Sequence, residues 1–187
     1  MITTLIATLA FATPQQTVEP LHCSVMTKGN ANLEGPSVVY AGAVFHFCCE
    51  GCDGQFAKNP AKFVAQNAKG TATFGRFLFD PVTGKKVDTG AGFTTDYKGI
   101  RYSFDSKANL DTFKAKPEKF AALPAKEVLT CPVAGDKMAS PKDAFAYVDV
   151  KGVRYYICCA GCLPKMQKDA AKYTAKTKPV AAVGHKG

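Results

Sequence analysis

All eight cysteines of this chain fall into two sets of four, and both sets are spelled the same way. The first has Cys48, Cys49 and Cys52 in the run Phe45-His46-Phe47-Cys48-Cys49-Glu50-Gly51-Cys52, with Cys23 a hairpin's length upstream. The second has Cys158, Cys159 and Cys162 in Tyr155-Tyr156-Ile157-Cys158-Cys159-Ala160-Gly161-Cys162, with Cys131 upstream. Two thiols spaced Cys-x-x-Cys, a third beside them and a fourth brought in from a distant turn fit a tetrahedral metal site. Sulfur donors suit Zn(II) or Cu(I) and suit Mg(II) or Ca(II) poorly; zinc and copper share this donor set, so the element stays open.

Sliding the chain against itself exposes a third copy, without cysteines, between the other two. Tyr40-Ala41-Gly42, the first cluster and the stretch Phe56 to Phe63 lie over Tyr97-Lys98-Gly99, Phe104-Asp105-Ser106 and Phe113 to Phe120. The same pattern returns as Val150-Lys151-Gly152, the second cluster and Met166 to Tyr173. In the middle copy Asp80, Asp105, Ser106 and Asn109 stand where the first has Cys23, Cys48, Cys49 and Cys52. Asp, Ser and Asn cap helix N-termini, so Asp105 or Ser106 can hold the same strand-to-helix turn by hydrogen bonds. Asp80 and Asp105 alone make a weak site for a hard cation.

Each copy has one local pattern. A turn carries the lone cysteine, and two strands follow, as at residues 37–40 and 43–47, joined by a tight turn at Ala41-Gly42. A helix of about two turns then starts at the cluster and is interrupted at Asn59-Pro60, Lys116-Pro117 or Lys168-Asp169. A second short helix carries Phe63, Phe120 or Tyr173. Phe56 and Phe63, and their counterparts Phe113 and Phe120, are expected to pack on the hairpins. A unit this small buries too little surface to be comfortably stable without a staple. Cysteines at a helix start favour the thiolate, which a metal needs.

The formal charge of +9 raises a nucleic-acid reading, but the lysines are spread evenly and only Arg76, Arg101 and Arg154 are arginine. Bidentate phosphate or base contacts are therefore scarcely provided for, and a solvated lysine surface is the reading taken. No Ser/His/Asp set, phosphate loop or paired-carboxylate motif stands out, and the chain is not read as an enzyme. Residues 1–12 are apolar and uncharged, and Ala10-Phe11-Ala12 fits a secretory cleavage site ahead of a mature chain starting near Thr13. That stretch is too short to span a membrane. The expected location is periplasmic or secreted, which also admits disulfides as the resting state of the thiols. A structural zinc and a thioredoxin-like redox pair are the other uses of Cys-x-x-Cys.

Outside the clusters, His46 is expected to face solvent or to stand behind the ligands. His22 is a supplementary candidate ligand, and Met26 is assigned to core packing. His185 lies in a Gly/Lys-rich tail expected to be disordered.

These motifs resemble the YHS/TRASH domain, a small treble-clef-like metal-binding module. The likeness runs from about Leu21 to Lys176 and includes the middle opening Asp80-Pro81-Val82-Thr83-Gly84. It implies an α+β chain of three tandem treble-clef-like modules, each a metal-knuckle turn, a β-hairpin and one or two short helices. The modules would occupy residues 21–68, 78–123 (degenerate, without cysteines) and 129–176, with a flexible tail at 177–187. By resemblance, the metal cysteines are Cys23, Cys48 and Cys52, and Cys131, Cys158 and Cys162, with Cys49 and Cys159 as candidate fourth ligands. About two zinc or copper(I) ions per chain would follow. Expected partners are heavy-metal ions and a metal transporter or another exported protein, with no nucleic acid and no membrane span. The alternative is a zinc- or disulfide-stapled interaction module with no part in metal traffic.

Overall fold

A computed structural model describes residues 19–87 and 92–187. The expected export signal at residues 1–12 lies outside the described residues. The chain is α+β, as expected.

Its recurring element is a hairpin followed by two short helices. The first is β1 (Asn32–Tyr40) and β2 (Ala43–Phe47), then α1 (Cys52–Lys58) and α2 (Pro60–Asn67). The second is β4 (Phe93–Tyr97) and β5 (Ile100–Phe104), then α3 (Lys107–Ala115) and α4 (Pro117–Phe120), preceded by β3 (Gly75–Phe77). The third is β7 (Ala146–Val150) and β8 (Val153–Ile157), then α5 (Leu163–Lys168) and α6 (Ala170–Thr174), preceded by β6 (Lys126–Val128). Two strands of two residues, β9 (Val180–Ala181) and β10 (His185–Lys186), close the chain.

The hairpins share one turn. Ala41-Gly42, Lys98-Gly99 and Lys151-Gly152 all have positive φ at both residues (47° and 81°, 48° and 76°, 49° and 76°). This left-handed pair matches the twist of the flanking strands, and glycine supplies the second residue without a Cβ penalty. The helix breaks are equally alike: Asn59, Lys116 and Asp169 sit at φ −152°, −147° and −146°. Asn59 and Asp169 accept from the backbone N–H groups of Lys62 and Lys172 and so cap the second helices.

Phe56 packs on Phe45, Phe47 and Phe63 at 4.6, 5.5 and 5.8 Å between ring centroids. Phe113 does the same with Tyr102 and Phe104 at 4.9 and 5.3 Å. These aromatic knots are the hairpin cores expected from sequence.

The strand order is β10-β1-β2-β3-β5-β4 in one sheet and β7-β8-β6-β9 in the other. β3 runs antiparallel to β2 and parallel to β5, so the first two hairpins belong to a single six-stranded sheet. β6 pairs parallel to β8 in the same way. The second sheet docks through Tyr147 and Tyr156, which join the core of the first beside Phe77 and Phe79. Arg154 locks that junction although it is fully buried. It grips Asp149 through two bonds of 2.9 and 2.7 Å, donates to the Ala41 and Ala122 carbonyls, and lies 4.1 Å from the Tyr147 ring centroid.

Residues 177–187, expected to be a disordered tail, are instead paired. β9 adds to β6 and β10 adds to β1, so one short segment ties the two sheets together. His185 Nε2 lies 2.8 Å from the buried Glu127 carboxylate, and Lys186 reaches Asp53 at 3.2 Å. A polar group buried on β6 needs a hydrogen-bond partner, and the tail brings one. Among the described residues no helix is long and apolar enough to cross a membrane.

Candidate metal centres

Each cysteine set converges where a hairpin meets its first helix. The lone cysteine sits on a knuckle whose N–H closes back over the loop, from Cys23 to the Gly29 carbonyl and from Cys131 to the Asp136 carbonyl, both at 2.8 Å. Cys48 and Cys158 follow the last residues of β2 and β8, while Cys52 and Cys162 stand at the starts of α1 and α5. Local geometry therefore delivers three thiols from three elements. The sulfurs of Cys23, Cys48 and Cys52 lie within 4.8 Å of one another, as do those of Cys131, Cys158 and Cys162. A tetrahedral centre with bonds of about 2.3 Å needs sulfurs roughly 3.8 Å apart; Cys158 and Cys162 are at 3.9 Å.

Cys49 and Cys159 stand at the mouths. Both are exposed, whereas Cys23, Cys52, Cys131 and Cys162 are buried. Cys49 lies 3.4 Å from the Cys48 sulfur and 3.5 Å from that of Cys52, and Cys159 lies 3.2 Å from that of Cys162. Neither belongs to the mutually close triads. Each triad thus has an exposed thiol beside it.

Burial pushes the Cys23 thiol up, but N–H groups of Met26, Cys48 and Val25 and the Cys48 thiol bond to its sulfur and bring it below its usual value. Cys131 is lowered in the same way against burial, by N–H groups of Cys158, Ala134 and Val133 and by the Cys158 thiol. The neighbours move the other way. Cys48 rises to about 11 because it shares hydrogen bonds with Cys49 and Cys23, and Cys162 rises to about 11 through burial and the Cys159 thiol. Burial also raises Cys52 and Cys158. Cys159 is lowered too, first by the Cys162 thiol. In each triad the two raised thiols would be held as thiolates best by a cation in their midst. This donor set fits a thiophilic metal.

The middle copy shows the same knuckle made without sulfur. Asp80 is fully buried, and its carboxylate accepts from the N–H groups of Val82 and Thr83 at 2.8 and 3.3 Å. It also accepts from the Asp105 N–H at 3.0 Å and the Asn109 side-chain amide at 2.7 Å. The backbone donors match those that reach Cys23 and Cys131. Ser106 caps α3 through the Asn109 N–H at 3.2 Å, as its residue type suggests. With its carboxylate so occupied, Asp80 is a structural anion.

Residues 78–123 match the YHS domain. The YHS stretch is the copy without cysteines, beginning just before Asp80. Comparison with curated proteins returned no match, and comparison with solved structures returned none.

Met26, His46 and His22 also carry roles assigned from sequence. Met26, assigned to the core, is 58% exposed, because its knuckle turns the side chain outward. His46, expected to face solvent or stand behind the ligands, is half-buried: its Nδ1 lacks a hydrogen-bond partner, and burial, then Arg76 and Lys142, hold its pKa low. His22 joins neither triad. Its backbone N–H donates to Thr73, and its ring lies 6.0 Å from that of Phe74. Two residues had drawn no attention. The buried Asn67 at the end of α2 donates to the Ser24 carbonyl at 3.1 Å and braces the first knuckle. Asp136 closes the third knuckle through its carbonyl. Aligning the loops from Cys23, Asp80 and Cys131 would have singled out Asp136; Asn67 left no local signal.

Proposed function

We propose that this chain is an exported, non-enzymatic protein that binds two soft or borderline metal ions, copper or zinc, and buffers or delivers them. The carrying observation is the pair of matching cysteine triads, each flanked by an exposed thiol. The YHS match in the same chain supports a metal-binding role. The three hairpin-helix units read as tandem treble-clef-like modules, the outer two metal-bearing and the middle one closed by Asp80.

Three fixed sulfurs hold an ion while the fourth place changes hands, which lets an acceptor thiol enter before the ion leaves. Ions are taken up with release of thiol protons, and a metal transporter or another exported protein is the recipient. The rival reading is a zinc-stapled interaction module. It predicts unfolding when the metal is stripped, whereas the Asp80 knot suggests that this fold can close a knuckle without metal.

Native mass spectrometry of chain purified without chelator or oxidant, with a thiol count alongside, tests the proposal. Two ions per chain, removable by chelator with the circular dichroism spectrum retained, are expected. No ion and a mass lower by several protons would mean disulfides and overturn it. Two ions whose removal unfolds the chain would favour the structural reading.

A further inference from the structure

Cys49 and Cys159 belong to neither triad, yet each stands against the sulfur of a triad member. Cys49 Sγ lies 3.5 Å from Cys52 Sγ, and Cys159 Sγ lies 3.2 Å from Cys162 Sγ. A disulfide has its sulfurs about 2.05 Å apart, so each pair has roughly 1–1.5 Å left to close. The turn that opens the first helix of each unit sets this spacing. In the third unit the Cys162 N–H donates to the Cys159 carbonyl at 3.2 Å, which brings residues three apart to one side of the turn. The middle unit keeps the relation without sulfur: Ser106, in the place of Cys49, accepts from the N–H of Asn109, in the place of Cys52. All three units join these two positions, and in the outer two the join can become covalent.

The first member of each pair is exposed and the second is buried. An oxidant arriving from solvent therefore meets Cys49 or Cys159 first. The turns have room to close, since a Cβ added at Gly51 or Gly161 would meet nothing within 4 Å. Behind them Phe56 and Met166 fix the two helices in their cores. Cys48 is the other sulfur near Cys49, at 3.4 Å. It adjoins Cys49 in the chain, and a bridge between neighbours would force the peptide between them out of its relaxed geometry. The pairing with Cys52 has its counterpart in Cys159 and Cys162.

Resting on the metal-binding reading above, we propose that Cys49 and Cys159 are oxidation sites through which a hydroperoxide empties the centres. The exposed thiol attacks the peroxide, the O–O bond breaks, and sulfur becomes a sulfenic acid while an alcohol (water, from hydrogen peroxide) leaves with the thiol proton. The sulfur of Cys52 or Cys162 then attacks the sulfenic sulfur. An S–S bond forms, and the hydroxyl leaves as water with the second thiol's proton, or with a solvent proton where that sulfur held the ion as thiolate. Two thiols and one hydroperoxide thus give one disulfide, one alcohol and one water, with two electrons passed to the peroxide. Each centre keeps two of its three donors, Cys23 with Cys48 or Cys131 with Cys158, and lets its ion go.

Zinc is the probe, because it has no redox chemistry of its own. The full chain is loaded without oxygen with two equivalents of Zn(II) and then exposed to hydrogen peroxide. Released zinc is followed with a chromophoric chelator, and disulfides are located by peptide mass spectrometry. The unaltered chain should release both ions and gain the Cys49–Cys52 and Cys159–Cys162 bridges. Cys49→Ser should take up both ions and release only that of the second centre. Cys159→Ser should release only that of the first, and the double variant should keep both. A dithiol reductant should let the oxidised chain take up two ions again. Release that is the same with and without Cys49 and Cys159 would overturn the proposal while leaving metal binding intact. So would bridges to Cys23, Cys48, Cys131 or Cys158 instead, or a Cys49→Ser chain unable to fill its first centre. An unaltered chain that holds no zinc before peroxide would overturn the metal-binding reading, and the bridges that same chain forms under peroxide would still decide the pairing.

Discussion

The Asn109 side-chain amide donates to the Asp80 carboxylate across 2.7 Å, joining the two positions held by Cys52 and Cys23 in the first copy. A hydrogen bond thus spans the gap that a metal would span elsewhere. Asp80→Ala strands the Asn109 amide and three backbone N–H groups in a buried place. It should lower unfolding free energy by at least about 1–3 kcal/mol, read from denaturant midpoints. Metal content by mass spectrometry should not change.

The neighbouring Asp105 is an exposed carboxyl held above its usual value, first by desolvation and then by the Asp80 charge, with Lys85 opposing. A raised acid binds its proton more tightly folded than unfolded. Its ionisation therefore costs stability at neutral pH, and that cost is relieved as pH falls through the folded value towards about 3.9. Asp105→Asn keeps the N–H that serves Asp80. Its melting temperature should match or slightly exceed the parent's at pH 7, with the gap vanishing near pH 4. A lower melting temperature at pH 7 would contradict this.

Arg154 is the largest test of the junction between the sheets. Arg154→Ala leaves Asp149, the Ala41 and Ala122 carbonyls and the Tyr147 ring without their cation. A loss of about 3–5 kcal/mol is expected. Arg154→Lys restores the charge but not the two-pronged grip on Asp149, so it should recover only part of that. Chemical denaturation of both variants measures the difference.

Deleting residues 179–187 removes β9, β10 and the His185 partner of Glu127, whose side chain is 1% exposed. A buried polar group left without its hydrogen-bond partner costs about 1–3 kcal/mol, so the melting temperature should fall. Adding Glu127→Gln to the deletion should return part of the loss. An unchanged melting temperature on deletion would mean that the tail does not dock in solution.

What was legible in sequence was local. The turn at Ala41-Gly42, the breaks at Asn59 and Asp169, the Phe56 and Phe113 knots and the grouping of cysteines all depend on residues near one another in the chain, or on a repeat that copies them. What escaped was non-local. Nothing in Gly75-Arg76-Phe77 announces a strand hydrogen-bonded on both sides, and two-residue strands such as His185-Lys186 leave no periodicity to read. Arg154 looked like one of many surface cations because its burial depends on a hairpin turn more than a hundred residues away. Met26 looked like core because hydrophobicity says nothing about which way a turn points a side chain.

The strands that lead into the two centres are each held on both flanks, β2 by β1 and β3, and β8 by β7 and β6. Emptying a centre is therefore expected to leave its walls standing. Under the proposed carrier role this would mean turnover: the vessel would not need refolding between one cargo and the next, and an ion given up would cost the chain its load, not its shape.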